Sequence, residues 1–137
     1  MFVDNACSIY DDRPRTCRTY DCRIFSATGV DASEDGRDDI ALRTRAWEFT
    51  PDEPAASIVF GAMGAAADFI RTHRSSIPAG LAPTTATQLA VMAFELHELF
   101  ITKNEQGVET IASPTVSAFN AGLLAQRGGK PKERRER

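Results

Sequence analysis

Three cysteines, Cys7, Cys17 and Cys22, fall within the stretch CSIYDDRPRTCRTYDCR, from Cys7 to Arg23. Thiolate sulfur is a soft ligand suited to zinc and to iron–sulfur centres, and a thiol ionises more readily beside arginine or a metal. Cys17 is followed by Arg18 and Cys22 by Arg23, with Arg13 and Arg15 close by. A four-thiolate zinc site carries a charge of about −2, so neighbouring guanidinium groups are placed to hydrogen-bond the sulfurs and offset it. The same thiols also suit dithiol–disulfide exchange between Cys17 and Cys22, which requires an accessible thiol of low pKa. Nine residues separate Cys7 from Cys17 and four separate Cys17 from Cys22, and neither interval is the CxxC knuckle of a zinc ribbon. On spacing alone, reduced cysteines packed as small apolar groups are the stronger reading.

The order of residue types adds more than the spacing does. The string C-x-x-Y-x-x-R-P-x-x-C-R, here Cys7, Tyr10, Arg13, Pro14, Cys17 and Arg18, is followed by Tyr20-Asp21-Cys22-Arg23. It resembles the second half of the cysteine-cluster signature of the YkgJ-type family of zinc- or iron-chelating proteins. The resemblance implies that Cys7, Cys17 and Cys22 are metal ligands, for zinc or alternatively an iron–sulfur cluster. Members of that family usually carry an earlier C-x-x-C-G-x-C-C cluster, whereas six residues precede Cys7 here. The expectation is therefore that the sequence starts at an internal methionine of a longer protein; a shortened relative is the alternative. Three cysteines leave a tetrahedral site one ligand short. Asp21, a water, a second chain, His73 or His97 are the candidates, although each histidine reads first as a half-buried helix residue.

The elements that must position this stretch are ordinary in composition. A chain of 137 residues, 42% apolar and 26% charged, suits one globular domain with an aliphatic core and argues against wholesale disorder. KPKERRER, residues 130–137, holds five basic and two acidic side chains, so the net −3 divides into +3 there and −6 on the remainder. An acidic body is a poor match for a phosphate backbone, which argues against nucleic acid as partner. The start MFVDNACSIY lacks the basic and apolar regions of a secretory signal, and no run approaches the ~20 apolar residues that span a bilayer. A cytoplasmic location is expected. A protein partner of unknown kind and a homo-oligomer are both compatible.

Four common motifs of catalytic and nucleotide-binding sites do not occur in the sequence. His97-Glu98 begins like HExxH, but Ile101 occupies the second histidine position, and no phosphate loop, dinucleotide fingerprint or nucleophile elbow occurs. Glu95 and Glu98 read as solvated carboxylates.

The predicted architecture is mainly α, a small bundle of three to four helices fronted by an irregular cysteine-rich segment. Residues 1–27 form that segment, 28–129 the helical body and 130–137 a basic disordered tail. Gly29 to Gly36 reads as an acidic connecting loop. A first helix starts near Arg37 with Ile40, Leu42, Ala46, Trp47 and Phe49 inward. A second starts at Thr50-Pro51 or at Pro54 and buries Ile58, Ala62, Ala66, Phe69, Ile70 and His73, with Gly61 and Ala65 admitting a neighbouring helix. The third, capped by Thr84 or Thr85, runs to about Lys103 on Leu89, Met92, Ala93, Leu96, Leu99 and Phe100. The last opens at Ser113-Pro114 and buries Val116, Phe119, Leu123 and Leu124. The function expected is non-catalytic metal binding. A metal-free helical interaction module and a thiol redox protein using Cys17 and Cys22 are the alternatives.

Overall fold

The computed structural model describes residues 2–3, 6–7, 23–46 and 52–128. Three elements begin inside the span 1–27 expected to be irregular. Strands β1 (Phe2–Val3) and β2 (Ala6–Cys7) pair antiparallel, with Phe2 opposite Cys7 and Val3 opposite Ala6. Helix α1 (Arg23–Thr28) follows Cys22 directly and buries Phe25 and Thr28, the Thr28 hydroxyl donating to the Ile24 carbonyl at 2.7 Å. Elements this short leave no sustained period in a sequence, which is why the segment read as featureless.

The acidic loop after α1 is also ordered, as a 3₁₀ turn over Ala32–Asp35. Asp31 accepts from the Ser33 N–H at 2.9 Å, and Gly36, at φ 71°, ends the turn in a left-handed conformation that glycine adopts without Cβ strain. Helix α2 (Asp38–Arg45) has Asp38 and Asp39 in its first turn and Arg43 and Arg45 in its last, matching the helix dipole at both ends. Its inward stripe is Ala41 and Thr44, with Ile40 half-buried. Leu42 is 71% exposed and Ala46 is exposed, contrary to the expected buried set. At about 100° per residue Leu42 points away from the Ala41–Thr44 stripe, and the helix is too short to acquire a second face. Trp47 and Phe49 lie outside the described residues.

Helix α3 (Pro54–Thr72) starts at Pro54, whose fixed φ and missing N–H suit the first helical position. It buries Ala62, Met63, Ala66, Ala67, Phe69 and Ile70, while Ile58 and His73 are half-buried. Gly61 does admit a close neighbour, but the neighbour is the Ile111 side chain of a β-hairpin and not a helix.

Helix α4 (Ala86–Leu96) is capped by Thr85, whose hydroxyl oxygen accepts from the Gln88 N–H at 3.1 Å. Leu89, Met92, Ala93 and Leu96 are buried as expected. The helix does not continue to Lys103. It tightens into a 3₁₀ turn over His97–Phe100, and Ile101–Lys103 forms strand β3, paired antiparallel with β4 (Glu109–Ile111). Turn chemistry explains the change. Asn104 Oδ1 accepts from the Gln106 and Val108 N–H groups at 3.0 and 2.9 Å, and Gly107 takes φ 76°, so the chain must reverse there. The β-branched residues on either side then pair, Ile101 with Ile111 and Thr102 with Thr110.

Helix α5 (Val116–Gly128) begins after Thr115, whose Oγ1 accepts from the Ala118 N–H at 3.2 Å. Phe119 and Leu123 are buried, but Leu124 is 52% exposed and not part of the core. Two side chains tie α5 down: Asn120 Nδ2 donates to the Ser76 carbonyl and Gln126 Nε2 to the Glu95 carbonyl, both at 2.9 Å. At Gly122 a Cβ would lie 2.6 Å from Leu99 Cδ1, so a glycine lets α5 approach the 97–100 turn closely.

The described chain is thus mainly helical, as expected, with five α-helices, two of them short, in place of three or four. At its centre Phe69 of α3, Phe100 and Phe119 of α5 converge. Phe69 lies 5.4 Å from Phe100, edge to face, and 5.0 Å from Phe119, while Phe100 and Phe119 are 6.3 Å apart. Phe100 and Phe119 are fully buried. Replacing Phe119 by alanine is expected to cost about 3–5 kcal/mol in urea unfolding. Leu124→Ser should change stability by less than about 0.5 kcal/mol in the same measurement.

Candidate functional site

The cysteine stretch is bounded by described elements on both sides. Cys7 ends β2, its backbone paired with Phe2, and Cys22 immediately precedes α1. Cys17, Cys22, Tyr10, Tyr20, Arg18 and Asp21 lie outside the described residues. The two histidines suggested as a fourth ligand are used locally. The His73 ring packs 4.4 Å from Phe69 at the end of α3, and His97 Nδ1 lies 2.6 Å from the Phe94 carbonyl oxygen. Among the described residues, no three His, Cys, Asp or Glu side chains come together in a group able to hold a metal ion. Nor does any described helix have the length and apolarity to cross a membrane.

The strongest polar constellation among the described residues is one that the sequence reading passed over. Asp35, at the end of the 3₁₀ turn, reaches across to the start of α4. Its Oδ1 accepts from the Ala86 N–H at 2.6 Å, and its Oδ2 accepts from the Thr87 N–H at 2.9 Å and the Thr87 hydroxyl at 3.1 Å. The first N–H groups of a helix have no partner within it and carry the positive end of its dipole, so a carboxylate is a well-matched acceptor there. Thr85 caps the Gln88 N–H from within the helix's own lead, and Asp35 supplies the rest from 51 residues away. Desolvation pushes the Asp35 carboxyl up, but these hydrogen bonds outweigh it and hold the group below its ordinary 3.8.

Further ion pairs flank Asp35. The Arg45 guanidinium bonds the Asp31 carboxylate, and together with the Ser33 hydrogen bonds this lowers Asp31 from 3.8 to about 2. Arg71 lies 3.3 Å from Glu34 and 3.6 Å from Asp68. These pairs are exposed and contribute little individually. Beside them a cleft of about 230 Å³ is lined by Arg71, Arg74, Thr84, Thr85 and Leu89, among others. Since both Asp35 oxygens are engaged, the constellation is suited to fastening the 23–46 segment onto α4 and offers no free nucleophile or base. An acidic loop and a Thr-rich helix start are visible in sequence, yet nothing in a single sequence says that the two meet.

Asp35→Asn keeps one carbonyl acceptor but turns an NH₂ donor toward a backbone N–H, and should cost about 0.5–2 kcal/mol of unfolding free energy. Both Asp31 and Asp35 have folded pKa values below the unfolded one. Their stabilisation is therefore complete above about pH 4 and is lost as pH falls through the folded values. Thermal unfolding followed from pH 5 to pH 2 should show the melting temperature falling, and Asp35→Asn should make that fall shallower.

Comparison with protein-family models, with curated proteins and with solved structures returned no match. The functional reading accordingly rests on the residues of the chain, foremost those from Cys7 to Arg23.

Proposed function

We propose that this chain is a non-catalytic metal-binding protein, in which Cys7, Cys17 and Cys22 hold zinc, or alternatively an iron–sulfur centre, in front of a helical scaffold. The observation that carries the reading is the ordered run of cysteine, tyrosine and arginine between Cys7 and Arg23. Its donor chemistry suits zinc: three thiols, each a soft ligand once deprotonated, with Arg18 and Arg23 next in sequence to two of them to offset thiolate charge. The flanking helix supports it as well. On its C-terminal side the run joins α1, whose Phe25 is buried, so a metal held there would be anchored to the core. Such a metal would act structurally, joining the two ends of the segment, with the cytoplasm as its location because thiols stay reduced there. A protein partner would then read the joined surface.

Elemental analysis of anaerobically purified protein tests this. About one zinc per chain is expected, with Cys17→Ser and Cys7→Ser each lowering both metal content and melting temperature. Visible absorbance with bound iron would instead assign a cluster. Unchanged metal content and melting temperature in Cys17→Ser would overturn the proposal. No metal in the unsubstituted chain, with one thiol alkylated rapidly well below pH 8, would point to redox chemistry instead.

A further inference from the structure

We draw no further inference here: the strongest candidate, the cleft between the end of α3 and the start of α4 lined by Arg71, Arg74, Thr84 and Thr85, carries nothing, because Arg71 is already paired with Glu34 and Asp68, Asp35 already occupies the α4 N–H groups an anion would use, and no second feature there points to a ligand.

Discussion

Three phenylalanine rings from three separate elements must share one small volume, and most of the fold follows from that. Phe69 sits on α3, Phe119 on α5, and Phe100 closes the 3₁₀ turn that follows α4. Tilted and edge-to-face contacts at 5.0–6.3 Å satisfy the ring quadrupoles and expel water from the centre. For Phe100 to reach that centre, α4 tightens after Leu96. For Phe119 to do so, α5 must press against the same turn, which the missing side chain at Gly122 permits. The alanine-rich face of α3, Ala62, Ala66 and Ala67, brings its neighbours close enough for the rings to meet.

A second constraint is electrostatic and joins residues 23–46 to the rest of the described chain. Residues 23–46 bury Phe25, Val30, Ala32 and Ala41 in the common core, but apolar burial is non-directional and would tolerate sliding. Asp35 removes that freedom. Three donors of known direction at the start of α4 accept one placement of the 3₁₀ turn, and with it the placement of α1 before it and α2 after it. The dipole of α4 and the carboxylate stabilise one another, so one interaction serves both as a helix cap and as a tertiary clamp.

These two constraints bear on the cysteines through α1. Cys22 is joined by a single peptide bond to a helix whose inward face is held in the core, and that helix is oriented by the same segment that Asp35 clamps. Under the proposed function, a metal held by these cysteines would be linked through α1 to the clamped part of the fold. All three cysteines and both tyrosines lie before Arg23 in the sequence.

Periodicity predicted the three long helices and the core positions Ala62, Ala66, Ile70, Leu89, Met92, Phe100, Phe119 and Leu123, because amphipathic spacing over several turns is a local property, whereas cap chemistry offered Pro54 and Thr85 each as one of two starts. The cysteine–arginine run is equally local, and the expectation of metal binding there was drawn from residue types alone. Other features depended on partners distant in sequence. Leu42 and Leu124 fit apolar spacing yet face outward, since exposure is set by which neighbour arrives and not by the helix itself. Ile101 to Lys103 continued a helical pattern but became a strand once Asn104 and Gly107 reversed the chain and Gly61 offered Ile111 a place to pack. The Asp35 clamp was the least legible of all: an acidic side chain in a polar loop is solvated by default, and only the fold brings it to the open N–H groups of a helix 51 residues away.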